Sequence, residues 1–383
     1  MRERGRTARP ALIGAAVALA VAACSSPSPA PLPTPVPTSS SCVPFTRPTT
    51  VQQLDSVVTG YRSVPSFRGG DVGADVLLSD GRGLWVFGDT LRSADFPGPR
   101  YVRNSMLLFS TGCITVVTSA GNAAVIPDRA DGVGYWPMSI GKVARDGYDL
   151  VAVMAQRVRG SDLAGQFENL GPAIAVFRVD RGGLPVLQRV SDLGADSPDR
   201  RRPTWGAAVW VADDGYAYVY GTSNPEQHLV FGFALSVART KPETVEHPGT
   251  WEYWDGQGWQ PDAASARPVI AAQGGVSQTL SVFERDGRWY AVSKRDEFLG
   301  HDLVVWTSPS PTGRFTPSRP VAQIPSDLDR HVFRYMPLAH PDLLPTPGHV
   351  VVSVSQSTDD LDLLAADPVL YRPRFFEIPL PGA

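Results

Sequence analysis

Residues 71–90 read DVGADVLLSDGRGLWVFGDT, two β-rich runs on either side of Asp80-Gly81. Such a pair of runs across Asp-Gly is a hairpin signal, because glycine accepts the positive φ that the turn needs. Four further segments repeat the design: residues 136–156 (WPMSIGKVARDGYDLVAVMAQ), 205–222 (WGAAVWVADDGYAYVYGT), 277–294 (SQTLSVFERDGRWYAVSK) and 340–357 (HPDLLPTPGHVVVSVSQS). The last carries Pro-Gly in place of Asp-Gly. The turn glycines Gly81, Gly147, Gly215, Gly287 and Gly348 are spaced by 66, 68, 72 and 61 residues. A recurrence of this length marks a repeat architecture. Each period has room for a four-stranded blade, and outer-strand candidates follow most hairpins, at 105–111, 173–179, 229–235, 303–308 and 374–380. Long amphipathic helical patterns are nearly absent, and 36 Gly with 36 Pro suits turn-rich β structure. The expected fold is all-β, a five-bladed β-propeller over residues 42–383, in which radial repetition buries the sheet faces against neighbouring blades. A pair of β-sandwiches would need no such long repeat.

The N-terminal residues have a different character. Arg2, Arg4, Arg6 and Arg9 precede LIGAAVALAVAA, an apolar run too short to span a bilayer comfortably, so residues 1–23 read as a signal peptide. Val21-Ala22-Ala23-Cys24 resembles the bacterial lipobox, which implies acylation of Cys24 and an anchor in the cell membrane on its extracytoplasmic face. Residues 24–41 are rich in Pro, Ser, Thr and Ala and are expected to form an extended tether. With Cys24 taken by lipid, Cys42 and Cys113 remain. In an oxidising compartment they are expected to be bridged, the alternative being two buried thiols. The whole chain carries −3, and removing the signal's four arginines and one glutamate leaves a domain near −6, a poor match for nucleic acid. The domain is expected to act as a monomer.

In a propeller the first strand of each blade lines the axis, and loops at one end of those strands form the pocket. Aligning the hairpins on their glycines places Asp71, Trp136, Trp205, Gln278 and Tyr335 near the starts of the inner segments. Carboxylate, aromatic and amide groups together suit a carbohydrate site, where indole faces pack on sugar C–H surfaces and polar groups take hydroxyls. Trp136 and Trp205 have an alternative role as filling between blades. Antiparallel pairing returns Asp89 to the same end of the sheet as Asp71. Pairs about a two-residue turn would sum to 161 whereas 71 and 89 sum to 160, so a bulge or a three-residue turn is needed for both to face one side. Two carboxylates at one rim are what glycosidic cleavage usually requires, one protonated and one ionised. Asp75, two side-chain periods along the strand, is the spare. The structural alternative for Asp89 is bonding to backbone amides at a strand end.

The runs Gly70-Asp71-Val72-Gly73-Ala74-Asp75, Asp80-Gly81-Arg82-Gly83-Leu84-Trp85-Val86-Phe87-Gly88-Asp89-Thr90 and Arg103-Asn104-Ser105, with Trp136-Pro137 beyond, resemble the opening of the DUF4185-type propellers. That group includes glycoside hydrolase family 183, the endo-D-arabinanases of actinobacteria. The likeness covers roughly residues 60 to 378 and is sharpest in the first third. It implies endo-cleavage of D-arabinofuranosyl linkages in cell-wall arabinogalactan or lipoarabinomannan, with Asp71 and Asp89 as catalytic pair. Asn104, Lys294, Asp296 and His340 are further candidates for substrate contact.

There is no GxSxG elbow, HExxH, Walker loop or EF-hand pattern, and the six histidines are scattered, so neither a cofactor nor a metal is expected. The competing class is a non-catalytic envelope lipoprotein that binds wall glycan or a protein partner through the same rim. A structural scaffold with no converging carboxylates is the third.

Overall fold

The computed structural model describes residues 38–39, 42–60, 64–160 and 167–382. The signal peptide and Cys24 lie outside them, as does the tether up to residue 37. The folded unit, Thr34–Ala383, is a five-bladed β-propeller. Blade 1 is built on Gly69–Leu77, Gly83–Leu91, Ser105–Ser110 and Cys113–Thr118, and blade 2 on Gly134–Arg145, Tyr148–Gly160, Phe167–Asp180 and Pro185–Asp192. Blade 3 runs from Thr204–Val211 through Ala217–Ser223 and Ala234–Thr240 to Glu252–Trp254 and Trp259–Gln260. Blade 4 comprises Ser281–Arg285, Arg288–Lys294 and Asp302–Ser308 with two short edge strands, and blade 5 comprises Val332–His340, His349–Thr358 and Arg374–Pro379. All five turn glycines take positive φ, from +70° to +85°.

Alternation along the second strands shows how the ring is held. In blade 1, Leu84 and Val86 pack toward blade 2 while Trp85 and Phe87 pack toward blade 5. In blade 4, Trp289 and Ala291 face blade 3 while Tyr290 and Val292 face blade 5. Successive side chains of a strand point to opposite faces, so one apolar run supplies two interfaces. The buried hydrophobic residues accordingly form five clusters, one for each junction between blades, and the cluster joining blades 5 and 1 also takes Val51 and Leu54 of the helix Val51–Gly60. Polar bonds reinforce that closure: Asp55 accepts the Phe375 N–H at 3.1 Å, and Arg372 donates to the carbonyls of Arg68 (2.7 Å) and Val58 (2.6 Å).

Three expectations need correction. The inner strand of blade 5 is Val332–His340, upstream of the HPDLLPTPG segment, whose Pro341–Pro347 stretch forms a loop with proline at both ends. In blade 3 the third strand begins at Ala234, because Leu229 adopts φ +64° and residues 229–233 turn out of the sheet. Thr38–Ser39, within the stretch assigned to the tether, pairs with Val117 and Thr118, and Val43–Pro44 continues along the same strand. Cys42 and Cys113 are joined by a disulfide with Cα atoms 5.4 Å apart, fixing this N-terminal segment to the outer edge of blade 1.

Candidate active site

The first hairpin closes through the three residues Ser79-Asp80-Gly81, with Leu78 and Arg82 bonded across it at 2.8 Å. Pairs beyond the turn therefore sum to 160, as in Asp75 with Trp85 and Ala74 with Val86. The inner strand is irregular on both sides of Val72. Gly70 pairs with Thr90 but Val72 with Phe87, which sets Asp71 against Gly88 and Asp89, and Val72 and Gly73 have φ of +67° and +71°. A β-branched residue rarely tolerates that region, so the strain is held by its surroundings, including a bond from the Val72 N–H to Ser355 Oγ at 2.9 Å. A Cβ at Gly88 would overlap the Asp71 carboxylate. Glycine thus lets the two aspartates share one end of the hairpin.

Both residues are half-buried. Asp71 Oδ2 accepts from the Tyr335 hydroxyl at 2.9 Å, and Tyr371 also bonds to this carboxyl. Burial raises its pKa to about 6 against the pull of those bonds. Asp89 Oδ1 accepts from Trp136 Nε1 at 2.7 Å, with the Tyr101 hydroxyl as a second partner. Burial first, and repulsion by Asp71 second, raise Asp89 to about 7, while Tyr101, Trp136 and the charge of Arg103 oppose the rise. The two interact and titrate as a pair.

Polar contacts extend this centre across the ring. Gln278 of the loop entering blade 4 donates to Gln156 of blade 2 at 2.5 Å, and Gln156 pairs in the sheet with Trp136. The Gln278 N–H in turn donates to Glu297 Oε2 at 2.7 Å, and burial raises the Glu297 pKa. Four of the five glycine-aligned rim residues, Asp71, Trp136, Gln278 and Tyr335, therefore take part in these contacts at the carboxylate end. The fifth does not: Trp205 is buried against Trp251 and Tyr253 between blades 2 and 3, with ring centroids 6.4 and 5.1 Å away.

Other candidates also move. Asn104 is buried, and its amide bonds to the Ile126 N–H and to the carbonyls of Ile126 and Tyr135, holding a crossing between blades. Lys294 is fully buried, with Nζ donating to the carbonyls of Arg334 (2.7 Å) and Phe298 (3.2 Å). Asp296, at φ +59°, turns the chain so that Glu297, and not Asp296, meets Gln278. Asp75 lies beyond the irregular stretch that breaks the side-chain alternation. Its carboxylate contacts His340 Nδ1 at 2.5 Å, and His340 Nε2 contacts Ser353 Oγ at 2.8 Å, stapling blade 1 to blade 5 away from the pocket. His340 is buried and stacks on Trp85 at 4.8 Å.

Tyr101, Tyr371, Gln156, Phe167 and Glu297 were not anticipated. For Gln156 the signal existed, since it ends the second run of its hairpin as Asp89 ends the first blade's. Phe167 packs edge-on against Trp136 at 4.4 Å and is half exposed. A cavity of about 330 Å³ lies elsewhere, between the helix Val51–Gly60 and blades 1 and 5, lined by Leu54, Phe67, Trp85 and Leu343 among others. Its walls are mostly apolar and include neither Asp71 nor Asp89, so chemistry is assigned by the converging carboxylates and not by volume. Among the described residues, no group of three or more His, Cys, Asp or Glu side chains is gathered as a metal site would require.

The fold and the paired carboxylates define a propeller with a polar centre at one end of its first hairpin. The chain belongs to the family described as Domain of unknown function (DUF5005), whose model matches residues 52–379. The DUF4185-type likeness of the first blade stays a resemblance. No curated protein matches the chain. A crystal structure from Bacteroides ovatus ATCC 8483, assigned provisionally as a hydrolase, superposes with a TM-score of 0.62 at 19% identity, covering 83% of this chain and 87% of that one. A GH43_1 enzyme from Xanthomonas citri gives a TM-score of 0.47 at 14% identity over 86% and 94% of the two chains. A GH43 β-xylosidase/α-arabinofuranosidase from a compost microbial metagenome gives 0.46 at 14% over 89% and 95%. At these identities the likeness is one of fold.

Proposed function

We propose that the protein is a glycoside hydrolase that cleaves internal D-arabinofuranosyl linkages of cell-wall arabinan, held outside the cell membrane through lipidated Cys24. The observation that carries the reading is the pair Asp71 and Asp89, half-buried together at one end of the first hairpin with both pKa values lifted toward neutrality. Asp89, the higher of the two, suits the general acid: its proton passes to the glycosidic oxygen as the bond from that oxygen to the anomeric carbon breaks. Asp71, as the carboxylate of the pair, supplies the electron pair, either directly to the anomeric carbon or by taking a proton from the attacking water. Tyr335 and Tyr371 hold Asp71 in place, and Trp136 with Tyr101 holds Asp89, so neither carboxylate must reorganise as charge moves. The choice of arabinan follows from the resemblance of the first-blade motifs.

Incubation of the mature chain with mycobacterial-type arabinogalactan and lipoarabinomannan, followed by chromatography of the soluble products, tests this. Release of arabino-oligosaccharides of mixed length is the expected result. Binding of either polymer without any release would favour the non-catalytic glycan-binding lipoprotein.

A further inference from the structure

Large apolar side chains left exposed are informative when they gather on one face. Leu229 and Phe231 on blade 3, Phe298 and Leu299 on blade 4 and Leu328 before blade 5 are all exposed, with relative exposures from 40% to 66%. All five lie in loops at the carboxylate end of the strands. At the opposite end, among the exposed large hydrophobics of the described residues, stands Leu77 alone. The loops form a continuous rim: Gly232 abuts the backbone of Gly275, the Asp296 N–H bonds to the Gly275 carbonyl at 3.0 Å, and the Phe298 ring packs on Phe333 at 5.3 Å.

Cationic groups border the same rim. Arg200, Arg201 and Arg202 are exposed in succession, with Arg201 paired to Asp199 at 2.7 Å and Arg200 over the Phe233 ring at 5.3 Å, and the Asn224 N–H bonds to the Arg200 carbonyl at 2.8 Å, placing this run beside the loop that carries Leu229 and Phe231. Aliphatic tips beside guanidinium groups match the boundary between acyl chains and anionic headgroups. Leu229, Leu299 and Leu328 have no flat face for a sugar ring, and Phe298 joins this rim to the carboxylate centre, its ring 6.2 Å from that of Tyr335. The course of the chain gives a separate argument. Thr38 pairs with Thr118 at the carboxylate end of blade 1, so the chain enters the propeller at this face. Cys24 lies fourteen residues earlier, a length that reaches at most about 50 Å when fully extended.

We propose that the rim of blades 3 to 5 at the carboxylate end is a membrane-contact surface, with Leu229, Phe231, Phe298 and Leu299 entering the interface of an anionic bilayer. The proposal rests in part on the reading of Cys24 as the lipid anchor. It directs the pocket toward glycan rooted in that same membrane.

The test uses the mature chain from residue 24 carrying Cys24→Ser, so that no acyl chain contributes, sedimented with vesicles of phosphatidylcholine plus phosphatidylglycerol and with phosphatidylcholine alone. Preferential sedimentation with the anionic vesicles is expected. Leu229→Ser/Phe231→Ser and Phe298→Ser/Leu299→Ser should each weaken it about tenfold, and Leu77→Ser should leave it unchanged. Unaltered thermal midpoints would show that these surface variants remain folded. Absence of sedimentation with anionic vesicles, or an equal loss in Leu77→Ser, would overturn the proposal. So would binding of soluble arabinogalactan that is lost in the rim variants while vesicles are ignored. The readout needs no hydrolysis, so a chain that sediments but cleaves nothing refutes the enzymatic reading and leaves this surface standing.

Discussion

Burial, joined at Asp89 by repulsion from Asp71, holds the two protonated at pH values where exposed aspartates are ionised, and this has a thermodynamic cost. Between about pH 4 and pH 7 the folded state binds more protons at this pair than the unfolded chain does, so stability falls as pH rises through that window. Asp89→Asn should therefore raise stability at pH 8 by about 2 kcal/mol while removing activity, and the gain should vanish at pH 4; denaturant titration at both pH values checks this. Trp136→Phe removes a bond that favours the ionised form of Asp89. Its pKa should rise further, moving the alkaline limb of the pH–rate profile upward, with a loss of about tenfold or more in kcat.

At the scale of the strand, the turn glycines, the repeat and the four glycine-aligned rim residues were legible because hairpin chemistry and side-chain period are local properties. What escaped depends on irregular backbone. Inner strands shift register just after Asp71, at Pro137/Ser139, just after Trp205 and just after Tyr335, and nothing in the local composition announces a valine at φ +67°. Those shifts make Asp75 a partner of His340 instead of a neighbour of Asp71. Asn104 and Lys294 read as functional because polar residues near a rim invite that reading; only tertiary packing shows their donors spent on backbone carbonyls. Gly88 is the element-scale test of the site. Gly88→Ala forces the Asp71 carboxylate aside, and a displacement of that kind should lower kcat at least about a hundredfold with the β signature in circular dichroism retained.

For the whole molecule, five blade junctions share the apolar burial, and the closure between blades 5 and 1 also carries the helix Val51–Gly60, the Asp75–His340–Ser353 staple and the Tyr335–Asp71 bond. Closure and the proposed active site thus share residues. The Cys42–Cys113 bond fixes the entering segment across a sequence separation of 71 residues, for which loop entropy gives about 4 kcal/mol. Cys42→Ser should lower the thermal midpoint by several degrees in calorimetry and leave the pH optimum of activity in place, since the bond lies at the outer edge of blade 1.

The central claim is that Asp71 and Asp89 act as one acid and one base on arabinan, and the most direct measurement is the rate of polymer cleavage against pH for the parent, Asp71→Asn and Asp89→Asn. The account expects a bell-shaped parent profile with limbs near pH 6 and 7 and a loss of roughly a thousandfold or more in each variant. A variant that is folded and still cleaves at the parent rate would contradict it.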